Sequence, residues 1–296
     1  MDAADDPWPR VGDRVGSHVL GPRLACDEWF RVHRADDDHV TVRLFTPRPG
    51  TGERYAAHAA HAVVVVRALE HPAILPALAG GLHRPSNDYR SPPDRESIGW
   101  LATRTADGVP LDEWLVSQPF PEVLAVLHEV ASALAAVEAT DVICDGLLPD
   151  DIFIGADGRV LVDVACGATI RRALYNAVIR EDVVVGAREL RLMAPEQFQN
   201  PYNQSTSHRT TQHTFCAIAW RALLARWPFG DRNPVEYLAA VRQGHLERRR
   251  SAVPRKIRDA LARGLAPDPA ARWPSMAALQ AALVPPRGPL TRLLGR

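Results

Sequence analysis

Apolar residues change their spacing along this chain. The first third reads as short β-branched clusters between turns, the remainder mostly as helical repeats. Val40-Thr41-Val42-Arg43-Leu44-Phe45, preceded by the turn-like Asp36-Asp37-Asp38, is the best strand, and 98–105 is a second. Between them residues 54–70 predict a helix ending at His71-Pro72, because proline disfavours helical geometry in the residue before it. In 122–138, Val123, Val126, Leu127, Val130, Leu134 and Val137 recur at steps of three and four, one face of an amphipathic helix. Asp151-Ile152-Phe153-Ile154 and Val160-Leu161-Val162-Asp163-Val164 flank the turn Ala156-Asp157-Gly158 and predict a β-hairpin. Residues 215–224 are apolar nearly all round, which places that helix in a core. Helices near 254–264 and 275–284 complete the pattern. Strands early, helices late and a small hairpin between them predict an α+β chain of two unequal lobes.

Composition narrows the function. The 296 residues, 46% hydrophobic and 24% charged, are enough for one large domain or two modest ones. A chain this long buries about 75% of its unfolded surface and needs no disulfide or metal to hold a core. Thirty-five basic and thirty-five acidic residues cancel, which argues against coating nucleic acid or anionic lipid. Lys256 is the single lysine, so chemistry that needs a lysine elsewhere is excluded. Cys26, Cys144, Cys166 and Cys216 are far apart and fit neither a zinc site nor a disulfide framework. The acidic start lacks the pattern of a signal peptide, and no apolar run reaches the roughly 18 residues that would cross a bilayer. A cytoplasmic protein with reduced thiols is expected. Residues 1–16 read as a flexible leader, 83–97 as a surface loop and 285–296 as a basic tail.

Three strings in this order carry a resemblance: Arg67-Ala68-Leu69-Glu70-His71-Pro72, Leu192-Met193-Ala194-Pro195-Glu196-Gln197, and the 264–276 stretch containing Ala271-Arg272-Trp273-Pro274. Together they resemble the bacterial eukaryotic-like Ser/Thr protein kinases over residues 18–284. The resemblance implies a bilobal fold: a small, mainly β N-lobe with one helix over 17–104 and a larger, mainly helical C-lobe over 105–284. It also implies that Glu196 and Arg272 form a buried structural ion pair, and that Val66, Cys144 and Val164 stack in the core.

The positions where the family keeps its chemistry depart from the pattern. The stretch matching the glycine-rich loop, residues 24–32, has no glycine, and Asp27 and Glu28 put carboxylates where a triphosphate would lie. Trp29 and Phe30 beside them read either as packing down to close the site or as ordinary strand packing. Arg43 stands where the family has a phosphate-holding lysine, and arginine lacks that compact ammonium geometry. Its expected glutamate partner falls at Ala62, beside His61, so Arg43 reads as a solvated strand residue. Gly146 stands at the catalytic aspartate and Leu148 at the lysine that steadies the transferred phosphoryl group; Asp145 is one residue out of place. Asp163 and Asp151 match the two metal ligands. They read either as a residual Mg²⁺ site or, for Asp163, as the cap of the turn after its strand. Phe153 replaces a leucine at the floor of the adenine pocket. Thr169 and Tyr175 are the only hydroxyls in the 163–196 segment, so activation by phosphorylation there is not expected. Thr211 replaces the aspartate that opens the buried helix.

Packing residues persist while phosphate-handling residues are lost. The chain therefore reads as a catalytically inactive pseudokinase, a scaffold or allosteric regulator in bacterial signalling. Its partner would be a protein, an active kinase or another signalling protein, and neither nucleic acid nor membrane. Candidate surfaces are 83–97, 200–213 and Arg248-Arg249-Arg250. No cofactor is expected. The alternative is a weak or unconventional ATP-dependent Ser/Thr phosphotransferase, with ATP and Mg²⁺ on Arg43, Asp151 and Asp163.

Overall fold

The computed structural model describes residues 8–26, 30–45, 52–84, 98–171, 187–199, 206–247 and 251–284. Six strands, β1 (Arg14–Val15), β2 (His18–Cys26), β3 (Phe30–Ala35), β4 (Val40–Phe45), β5 (Ala77–His83) and β6 (Ile98–Arg104), form one sheet in the order β1-β2-β3-β4-β6-β5. Every pairing in it is antiparallel. β4 lies between β3 and β6 and is buried along its whole length. Side chains alternate across a strand. Val40, Val42 and Leu44 therefore join Trp8, Leu20, Ile98 and Trp100 in one apolar cluster. Phe45, on the opposite face, joins the main core with Leu101.

That second face is covered by α1 (Gly52–Ala68), which buries Ala59, Ala62, Val63 and Val66. The helix stops at Ala68, ahead of His71-Pro72. The leader expected to be loose is packed from Trp8 onward. Trp8 is 9% exposed beneath the Arg31 guanidinium, whose carbon lies 4.6 Å from the ring centroid. Gly16, at φ 59°, lies so close against Trp100 that a Cβ there would run into the indole. The apolar outer face of the sheet needs a cover, and residues 8–16 supply it.

Helices dominate the rest. After β7 (Val109–Pro110) come α2 (Leu111–Trp114) and α3 (Phe120–Glu138). Among the described residues α3 is the one helix long and apolar enough to cross a membrane by length and composition. The helix itself is the one expected over 122–138; no unbroken apolar run marks it, because Glu122, His128 and Glu129 interrupt the sequence. Nine of its residues are buried in the protein's own core. β8 (Ile152–Ile154) and β9 (Val160–Val162) form the expected hairpin, with Gly158 at φ 82° in its turn, and β7 extends it to a three-stranded sheet. The stretch after α1 is stitched to this hairpin by Leu75 N–H to Val162 O at 2.9 Å and Val162 N–H to Ala73 O at 2.8 Å. Beyond it lie α4 (Val164–Cys166), α5 (Ala187–Leu190), α6 (Pro195–Gln199) and α7 (His208–Leu224). α8 (Pro234–Gln243), α9 (Arg255–Gly264) and α10 (Met276–Ala282) follow. α7 is fully buried from Thr210 to Trp220.

Candidate functional site

Alternation on β4 turns Arg43 toward α1 and the β8–β9 hairpin. It is 7% exposed, and its Nη1 donates to Thr103 Oγ1 at 2.8 Å. The same nitrogen lies 2.7 Å from Asp163 Oδ2, with the aspartate side chain fully buried. No N–H is aligned on that oxygen, so the interaction is a contact of opposite charges and not a directed hydrogen bond. At this distance away from water the attraction is strong whichever way the hydrogens point. The expectation that Arg43 is solvated is thus corrected. A central strand leaves its inner side chains no water, and a guanidinium buried there requires a counter-charge.

Asp163 follows β9 directly, and its Oδ1 accepts from Cys166 N–H at 3.0 Å, capping α4. Asp151 is also buried. Its Oδ2 accepts from Leu148 N–H at 2.9 Å, and its carbonyl accepts from Asp163 N–H at 2.7 Å. The two surviving acids are therefore neighbours, and each side chain closes a backbone turn. Among the described residues no three His, Cys, Asp or Glu side chains gather as a metal-binding group.

The loop that leads into Asp151 is packed into the core. Cys144 is fully buried and its Sγ donates to Val164 O at 3.6 Å; Val66 and Val164 belong to the same cluster. Burial, with the carboxylates of Asp151, Asp145 and Asp163 nearby, pushes the Cys144 thiol up, so it stays protonated and unreactive. Gly146 offers no side chain, and Leu148 is 1% exposed. Asp145 is 1% exposed, and its carbonyl accepts from Gln197 Nε2 at 3.4 Å and Thr214 Oγ1 at 3.3 Å. Leu192 O lies 3.3 Å from the same Thr214 oxygen, so the two carbonyls share its one proton. The anchor on α7 is thus Thr214, one turn beyond Thr211, whose buried hydroxyl finds no partner. Sequence reasoning missed Thr214. The signal was a second hydroxyl three residues on, which shares the helix face.

Ala62 is buried and α1 is tied down by its histidines. His61 Nε2 lies 2.9 Å from the Asp141 carboxylate, and His58 Nε2 lies 3.0 Å from Ala168 O. The His61 contact holds the Asp141 carboxyl below its ordinary value. Past α4 a wide turn (167–171) folds back onto the loop. A Cβ on Gly167 would meet Cys144 Sγ at 2.7 Å and Leu147 backbone at 3.2 Å. Thr169 lies wholly inside this turn, its hydroxyl bonded to Ala165 O. Tyr175, Asp27, Glu28 and Trp29 lie outside the described residues, and so does the Phe30 side chain. Phe153 is half-buried on β8, opposite Pro110 and Leu161.

Glu196 and Arg272 meet in a two-pronged contact, Nη1 to Oε1 at 2.7 Å and Nη2 to Oε2 at 2.8 Å. Thr210 Oγ1 adds a bond to Oε1 at 2.9 Å, and Arg272 also reaches the carbonyls of Ala266 and Arg209. Of the three candidate surfaces, residues 85–97 and 248–250 lie outside the described residues. The third, 200–213, is corrected over 210–213, while 206–209 are half-buried. Thr210, Thr211, Gln212 and His213 are interior residues, because they form the buried start of α7.

A β-sheet region followed by a helical region, joined at Asp163 and closed by the Glu196–Arg272 contact, is compatible with a kinase-like protein. Comparison with known proteins supports this class. The chain is 27% identical over 301 residues to the serine/threonine-protein kinase Pkn1 of Myxococcus xanthus, covering 93% of this chain and 39% of that protein. It thus spans well under half the length of that relative. A shorter similarity, 40% over 52 residues and 17% of this chain, is to octanoyltransferases of Rhodopseudomonas palustris. No family model matches the chain.

Proposed function

We propose that this chain is a bilobal, catalytically inactive pseudokinase that works as a protein-binding scaffold or allosteric regulator in bacterial signalling. The observation that carries the reading is the 2.7 Å contact of Arg43 with Asp163. In the kinases it resembles, the strand cation holds phosphates and the acid holds a metal; here each neutralises the other. Freeing either would strand a buried charge at a cost of about 3–5 kcal/mol. Gly146 supplies no base, and Leu148 no charge for a migrating phosphoryl group. A positioned base alone contributes about 10²- to 10⁴-fold in rate.

As arranged, the two acids serve the protein's own backbone and guanidinium rather than ATP with Mg²⁺. Asp163 Oδ1 is taken by Cys166 N–H, Oδ2 faces Arg43, and Asp151 Oδ2 is taken by Leu148 N–H. No cofactor is therefore assigned. The partner is a protein, an active kinase or another signalling protein. Balanced charge speaks against nucleic acid or an anionic membrane surface, and the buried residues of α3 suit a core helix in a cytoplasmic protein.

Purified protein incubated with labelled ATP and Mg²⁺ or Mn²⁺ tests the reading. No incorporation and no thermal shift at millimolar nucleotide are expected. The rival, a weak Ser/Thr phosphotransferase, draws on the adjacency of Asp151 and Asp163, joined at 2.7 Å through the backbone. It predicts incorporation that disappears in Asp163→Ala, and that result would overturn the inactive assignment.

A further inference from the structure

A second concentration of charge lies away from Arg43, around Trp227. The guanidinium carbons of Arg191 and Arg221 lie 5.5 and 5.2 Å from the centroid of this one indole, which is 7% exposed. Arg242 lies 5.1 Å over the ring of Phe198. The three arginines come from three places: just after α5, the last turn of α7 and the last turn of α8. Their supports are packed together. Leu190 and Met193 cluster with Phe198 and Leu238, and Tyr237 donates its hydroxyl to Arg191 O at 2.8 Å.

Asp231, 80% exposed, lies 3.4 Å from Arg191. Among the described residues no carboxylate pairs with Arg221 or Arg242. In a chain with one lysine, arginine by itself carries little information. The stacking does. A guanidinium laid on an aromatic face keeps its N–H edge free, loses little further freedom on binding, and forks onto carboxylate or phosphate as lysine cannot.

We propose that Arg191, Arg221 and Arg242 form a docking surface for an acidic segment of a protein partner, gripped through its carboxylate or phosphorylated side chains. Arg191 immediately precedes Leu192, whose carbonyl shares the Thr214 hydroxyl with Asp145. A bound segment would thus lie on the strand of chain that backs the 144–151 loop. The inference rests on the partner-binding reading above and names that partner's chemistry.

Fluorescence anisotropy of the full chain with a labelled Asp/Glu-rich peptide tests it. The same peptide carrying one phosphoserine separates the two sources of negative charge, and a neutral Ser/Asn version is the blank. Both acidic peptides are expected to bind, the blank not. R191Q/R221Q weakens binding by about tenfold or more, the loss of one or two charged hydrogen bonds. R191K/R221K weakens it too, because ammonium groups neither stack nor fork equally well. Arg255→Gln, on the exposed face of α9, leaves affinity unchanged. Thermal melting confirms that each variant is folded, and Arg221→Gln alone serves if the double variant is not. Undiminished binding by R191Q/R221Q or R191K/R221K overturns the proposal. So does single-stranded RNA or a phosphatidylserine vesicle bound as tightly as the phosphopeptide. No nucleotide is present, so phosphotransfer found elsewhere would end the inactive reading and leave this surface standing. A blank result here would do the reverse.

Discussion

Arg43 Nη1 and Asp163 Oδ2 meet at 2.7 Å where the six-stranded sheet faces the β8–β9 hairpin, with side-chain exposures of 8% and 0%. One partner comes from the middle of a sheet and the other from the end of a hairpin, so their contact measures whether the two regions are docked. Thr103, at 2.8 Å from the guanidinium, fixes the direction of approach.

Breaking this contact from one side should be expensive and from both sides less so. Arg43→Met or Asp163→Leu is expected to lower unfolding free energy by about 3–5 kcal/mol, while the double replacement recovers a large part of it. Urea denaturation of the four proteins checks the cycle. Additive losses would mean that the two charges do not sense each other.

On the inactive reading proposed above, supplying the loop side chains of the kinases this chain resembles should not produce catalysis. G146D/L148K regains a carboxylate and an ammonium in the loop, yet leaves Arg43 and Asp163 facing each other. The expected result is no labelled phosphate incorporated above background. Turnover in this variant would mean that the contact opens readily.

His213 sets a pH dependence. It is fully buried, and desolvation, aided by the positive Arg272 nearby, holds its pKa well below 6.5. The unfolded chain binds a proton below about pH 6.5 while the folded chain does not, so stability falls as pH drops from there toward the folded value. The slope is at most about 1.4 kcal/mol per pH unit for one group. His33 and His83 are lowered too and add in the same sense. Urea midpoints between pH 7.5 and 5.5 should fall for the wild type and fall less for His213→Phe, which keeps the stack on Phe229.

Gly167 tests the fold-back of the segment after Asp163. A Cβ there would press on Cys144 Sγ and the Leu147 backbone. Gly167→Ala is expected to cost about 1–3 kcal/mol, the range for overfilling a packed core. Adding Cys144→Ala should return only part of this, because the Leu147 backbone cannot withdraw. A thermal melt of the single and double variants reads the difference.

Periodicity made β4, α3 and the Asp-Gly hairpin legible, because each pattern is local and repeats along its element. The environment of Arg43 was not legible. Alternation says which face a side chain takes, but nothing within six residues says that α1 and Asp163 cover that face. With Thr211 in place of the expected aspartate the anchor of α7 reads as lost, yet a hydroxyl does reach Asp145 O, that of Thr214, a choice made by tertiary packing. α8 passed unnoticed although its signals were present. Asn233 caps it through Glu236 N–H at 3.0 Å, Pro234 opens it, and Gly244 closes it at φ 67°. The tryptophan in an otherwise polar leader was likewise a signal, since Trp8 found the one uncovered face of the sheet.

That cover has a practical corollary for anyone trimming the protein. Cutting just after Gly16 would remove Trp8, Val15 and β1 together, and strip the lid from Trp100, Val42 and Leu44. The shortened polypeptide would present a bare greasy sheet with an unpaired β2 edge, the combination that makes a sample clump in the tube.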